Sequence, residues 1–193
     1  MWSTGLTGDH DARMVQSVEL LLDADLDARV RTQWRALADA GLPSLARHTG
    51  ATNAPHVTLA VASGVSPQAE ERLVDALPPA DLPLPLLLGG YVVLGGHKHV
   101  LARLVVPTAR LLGLQARAVD AWSDALEMPV TVLPGRWTPH VTLATHLTDT
   151  QLGQALTALR GLPGEVHDGA GEAVRVRRWD GEAKVAWDLG DAP

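Results

Sequence analysis

Apolar and polar positions follow the same order twice along the chain. Residues 16–22 (QSVELLL) and 100–106 (VLARLVV) are aliphatic runs of strand length, rich in residues that fit a pleated surface. Each precedes a stretch with apolar residues at helical spacing: Leu26, Val30, Trp34 and Leu37 within 25–40, and Leu111, Leu112, Leu114 and Val119 within 109–124. The word Pro-His-Val-Thr-Leu-Ala comes next, at 55–60 and again at 139–144. Ser66-Pro67 and Thr148-Asp149 then open further helices, each a capping residue followed by an apolar stripe (Leu73, Val74, Leu77; Leu152, Leu156, Leu159). The run 84–94 ends the first series, and 168–178, in which 173–177 alternates as an exposed strand does, ends the second.

The repeated word recurs at an offset of 84 residues, and the flanking elements share that offset to within a residue or two. The pattern predicts an α+β duplication: strand, helix, histidine strand, helix, strand, twice over. The whole of 1–193 reads as a single bilobed domain, with a first repeat at about 16–94, a second at about 100–178 and a closing strand at about 182–189. Pro-rich 78–85 and Gly-rich 161–171 punctuate the copies at the same place, and Gly89-Gly90 and Gly95-Gly96 read as bulge or turn glycines.

Composition narrows the chemistry. A chain of 193 residues, 46% hydrophobic, suffices for one well-cored domain. With no cysteine, disulfides, zinc-thiolate sites, iron-sulfur clusters and cysteine nucleophiles are excluded, so histidines and carboxylates must carry polar chemistry. The net charge of −6 argues against coating long duplex nucleic acid, which relies on many cationic contacts to phosphate. A small phosphorylated ligand or one RNA end stays compatible. The opening MWSTGLTGDHDARMVQ shows no basic start with an apolar run, and no apolar segment reaches the roughly 20 residues that span a bilayer. A cytoplasmic protein without membrane contact is expected, and a monomer.

The repeated word places its polar side chains together. On a strand, His56 and Thr58 share one face and Val57 and Leu59 the other, and likewise His140 and Thr142 against Val141 and Leu143. Residues two apart on a strand lie roughly 6.6 Å apart, so an imidazole and a hydroxyl can both reach one phosphate. Cleaving or forming a phosphodiester needs one proton removed and another delivered, and histidine serves either role near neutral pH. Threonine hydroxyls would bond the non-bridging oxygens. No metal or cofactor is needed. Arg136-Trp137, just before the second motif, offers a guanidinium for phosphate and a ring for base stacking. Trp34 and Trp187 are expected in the core. His97-Lys98-His99 falls in the Gly95-Gly96 turn with no carboxylate beside it, and reads as an exposed hairpin rather than a metal site. Asp23, Asp25, Glu70 and Glu71 sit at helix starts, where solvated acidic faces complement the helix dipole.

With His56-Val57-Thr58-Leu59 and His140-Val141-Thr142-Leu143, the chain resembles the two-histidine (2H) phosphoesterase superfamily, which includes RNA 2′,3′-cyclic phosphodiesterases and so-called 2′-5′ RNA ligases. The resemblance covers essentially the whole chain. It implies a duplicated bilobed fold, two antiparallel-rich sheets related by a pseudo-two-fold axis with helices outside. It implies one histidine as general base and the other as general acid, with both threonines on the phosphate; His140 as base and His56 as acid is the preferred division. Bacterial RNA cyclic phosphodiesterases of the family commonly carry arginine just beyond the second motif, where this chain has Thr145 and His146. Thr145 is therefore a candidate substrate contact that loosens the likeness to the RNA-processing branch. Ligation through a 2′-5′ linkage and a non-catalytic nucleotide-binding module are the alternatives.

Overall fold

A computed structural model describes residues 15–191 of the chain. The opening segment on which the absence of a leader was read lies mostly outside that range. The first copy contributes β1 (Gln16–Leu22), α1 (Ala24–Asp39), β2 (His56–Ala62), α2 (Pro67–Ala76) and β3 (Leu84–Leu94). The second contributes β4 (His99–Val105), α3 (Ala109–Ala121), β5 (His140–Leu147), α4 (Asp149–Arg160), the short α5 (Gly164–His167), β6 (Ala170–Asp180) and β7 (Val185–Asp188).

Local chemistry sets these bounds. Asp23, Ser66, Thr108 and Thr148 cap α1 to α4 in turn by accepting a backbone N–H with the side chain, and Thr148 forms a capping box with Gln151. At Gly171, β6 passes so close to the start of α1 that a Cβ would meet Asp23 Oδ2 at 2.6 Å and Leu26 at 2.9 Å. Gly89-Gly90 fall where the β3–β4 register shifts, and Gly95 opens the exposed connecting turn at φ 92°. The closing strand is shorter than the sequence indicates. Residues 181–184 form a turn in which Asp180 Oδ1 accepts the N–H of Glu182 and of Ala183, and Lys184 adopts φ 56°, so pairing starts only at Val185.

All seven strands join one antiparallel hydrogen-bonded path in the order β2-β1-β6-β3-β4-β5, with β7 added to β6. The strands do not sort by copy. β1 and β2 take β6, the last long strand of the second copy, while β4 and β5 take β3, the last strand of the first. Exchanging the copies reverses the order and leaves it otherwise unchanged. β3 binds the halves together, pairing with β6 through Leu84–Leu87 and with β4 from Leu88 onward. The path curls so that its end strands, β2 and β5, come into contact.

The helices pack on the face that carries Val57, Leu59, Val141 and Leu143, all at most 1% exposed. α1 lies against β5 and β6, and α3 against β2, so the helices also cross between copies. Trp34 fills this core as expected, but its second large aromatic is Trp122, fully buried, rather than the half-buried Trp187. No helix among the described residues is long and apolar enough to cross a membrane.

Candidate active site

β2 and β5 present His56 and His140 on the face opposite the helices, and both line one cavity of about 710 Å³. The same two-residue step recurs at each: His56 Nδ1 lies 2.7 Å from the Ala54 carbonyl and His140 Nδ1 2.7 Å from the Thr138 carbonyl. A carbonyl oxygen only accepts, so Nδ1 carries the hydrogen in both rings and Nε2 is the nitrogen free to exchange a proton with a ligand. Pro55 and Pro139, buried at the strand starts and lacking N–H groups, precede each ring.

Thr58, Arg136 and Trp137 line the cavity with the histidines. Thr142 holds the position on β5 that Thr58 holds on β2 and is half-buried, but the cavity wall does not include it. Thr145 does not line the cavity either. The β4–β5 register is irregular on both sides of Ala144, His146 takes a left-handed φ of 62°, and the Thr145 hydroxyl meets the His146 ring at 3.0 Å.

Two indoles brace the motif strands from opposite copies. Trp34 Nε1 donates to the Thr142 carbonyl at 2.9 Å, and Trp137 Nε1 donates to the Thr58 carbonyl at 3.1 Å. Trp137 thus offers its ring to the cavity while its N–H is spent on the strand.

Glu19 lies outside the repeated word, yet it belongs to the site. It sits on β1, 4% exposed, opposite Thr58, and lines the cavity. Its Oε1 is 3.6 Å from His56 Nε2 and accepts from Ser17 Oγ at 2.8 Å; its Oε2 accepts from Arg177 Nε at 3.0 Å. Arg177 is therefore buried, not solvated as alternation along 173–177 implied. Burial alone would raise the Glu19 pKa, yet the positive charges of His56 and Arg177 and the hydrogen bonds of Arg177 and Ser17 together hold it below the ordinary value. Burial pushes His140 the other way for its charge, lowering its pKa; its bond to the Thr138 carbonyl opposes this, and the charge of His56 adds to it. A signal for Glu19 was present: one carboxylate inside the otherwise apolar stretch 18–22.

Two acidic positions differ from expectation. Glu70 bonds the 1%-exposed Arg178, accepting from its Nε at 2.8 Å, because that guanidinium, stacked 4.7 Å from the Trp122 ring, needs a counter-charge. His99, set in the β4 start, does have a carboxylate beside it: Asp149 Oδ1 lies 2.6 Å from its Nε2. Among the described residues no group of three or more histidine, cysteine, aspartate or glutamate side chains is arranged to hold a metal.

The sequence matches the family model described as 2′-5′ RNA ligase superfamily over residues 23–181. Among curated proteins no match is found. Two solved structures are similar in fold: Usb1 of Kluyveromyces marxianus, 14% identical with a TM-score of 0.50, and the same protein with uridine monophosphate, 13% identical with a TM-score of 0.51. Each alignment covers 92% of this chain and 98% of the other.

Proposed function

The chain belongs to the 2′-5′ RNA ligase superfamily, within the two-histidine phosphoesterases, and from that premise we propose that it is a metal-independent phosphodiesterase opening a 2′,3′-cyclic phosphate on an RNA end or a small nucleotide. One observation carries the reading: two imidazoles, each engaged at Nδ1 by a backbone carbonyl and so left with Nε2 for proton exchange, line the same cavity. His140 accepts a proton from water as its oxygen bonds phosphorus. One ring P–O bond breaks, and His56 Nε2–H delivers a proton to the leaving ribose oxygen. The lowered pKa of His140 keeps it neutral and ready to accept at neutral pH. Thr58, and Thr142 from the matching position, donate to the non-bridging oxygens. Arg136 adds positive charge, and the Trp137 ring offers a face to the base. The uridine monophosphate in the similar Usb1 structure supports a nucleotide ligand.

The family description favours a second reading, the reverse reaction joining RNA ends through a 2′-5′ linkage. Hydrolysis of nucleoside 2′,3′-cyclic monophosphates in EDTA is the test, with product analysis to detect ligation. His56→Ala and His140→Ala should each lower kcat by about 10²- to 10⁴-fold without loss of fold. Activity that needs added metal, or that survives both changes, refutes the proposal.

A further inference from the structure

β1 and β4 carry the same irregularity. On β1 the pairing steps from Val18↔Ala60 to Glu19↔Thr58, and on β4 from Leu101↔Ala144 to Ala102↔Thr142, so a bulge skips the motif leucine in both copies. Glu19 and Ala102 are thus matching positions, each paired with the threonine two residues beyond a histidine. One is a carboxylate and the other a methyl group. Ala102, itself buried, shows that the bulge requires no charge there. A buried carboxylate costs free energy unless it is matched, and Glu19 is matched on every side. Arg177 from β6 holds Oε2, Ser17 from its own strand holds Oε1, and His56 from β2 faces Oε1 at 3.6 Å. Arg177 is anchored in turn by donating to the Thr52 carbonyl at 2.8 Å. His140 from β5 and Arg136 face the same cavity.

Building on the reading above, we propose that Glu19 is a positioning residue that keeps the exchangeable proton on His56, making His56 the general acid and leaving His140 to act as base. The carboxylate provides a counter-ion for imidazolium on His56, whereas Ala102 gives His140 none at the matching place. Arg177 offsets the carboxylate's charge, so an anionic phosphate meets a nearly balanced pair. The division of labour between two identical motifs then follows from one substitution on a neighbouring strand. It agrees with the separate effect of burial on His140.

Glu19→Gln keeps the shape and removes the charge. The alkaline limb of the kcat/KM profile for a cyclic nucleotide should move to lower pH, with about a tenfold loss on that limb for each unit moved and little change on the acid limb. Ring-proton NMR without substrate should show His56 losing its proton at lower pH in Glu19→Gln than in the parent, with His140 moving less. Glu19→Asp, which keeps the charge, should restore the limb. A profile scaled down without moving, or a His56 titration identical in Glu19→Gln and the parent, overturns the inference and assigns Glu19 to structure alone. Should Glu19→Gln not fold, Ser17→Ala carries the test: releasing Oε1 should move the limb to higher pH, and an unmoved limb is again fatal. If the parent turns over no phosphodiester, the proposed function falls while the ring titrations still decide the role of Glu19.

Discussion

His140 and Glu19 tie stability to pH in the same direction, by opposite chemistry. His140 in the folded chain holds its proton less readily than a free imidazole, chiefly through burial, so below about pH 6.5 the unfolded chain binds more protons. Its contribution is intact above that value and lost as pH falls from there toward the folded pKa. Glu19 is also depressed, and its contribution is present above the ordinary carboxylate value and lost as pH falls through the lower folded one. Calorimetry should therefore show Tm declining in two stages on acidification. His140→Gln should flatten the upper stage and leave the lower one; an undiminished slope near pH 6 in that variant would remove His140 from the account. At this scale the sequence showed both histidines and their threonines, because a six-residue identity marks them without any knowledge of contacts. It did not show Glu19 or Arg177. A charge on a strand reads by default as solvent-facing, and only the pairing of β1 with β2 and β6 reveals that these two face each other.

Trp34 shows how an element far from the ligand shapes the site. It rises from α1 in the first copy, is 2% exposed, and donates to the carbonyl of Thr142 in the second. Trp34→Phe keeps most of the packing and orphans a carbonyl, so urea unfolding should show a loss of about 1–3 kcal/mol. Unchanged stability would mean that water or a neighbour replaces the indole. Strand and helix positions were readable from periodicity and capping, and most agree with the sequence to within two residues at either end. α3 ends three residues before the stretch 109–124 does, and β7 starts three residues late because the turn around Asp180 uses local side-chain bonds that hydropathy does not register. Trp122, at the C-cap of α3, carries the buried stripe of Leu111, Gln115 and Ala118 further into the core and stacks against Arg178.

Across the whole molecule, each copy gives its last long strand to the sheet of the other. The exposed turn at 95–98 is then the link between two pieces that cannot complete themselves. Fragments 1–96 and 97–193 should each lack cooperative unfolding alone and regain it, with activity, when mixed. Independent folding of either fragment would contradict the pairing. The duplication was legible as an 84-residue phase, but the exchange was not: β3 and β6 are both 11-residue strands, and hydropathy does not encode which sheet receives them.

That exchange also bears on symmetry. A single repeat exporting its final strand has no closed form by itself, and its smallest complete assembly is a reciprocally swapped pair of identical chains, with a histidine from each facing one ligand. In such a pair any residue beside one histidine must also stand beside the other. A single polypeptide that carries both copies is free of that constraint, and a glutamate at 19 matched by an alanine at 102 is a difference that a symmetric pair of identical chains could not hold.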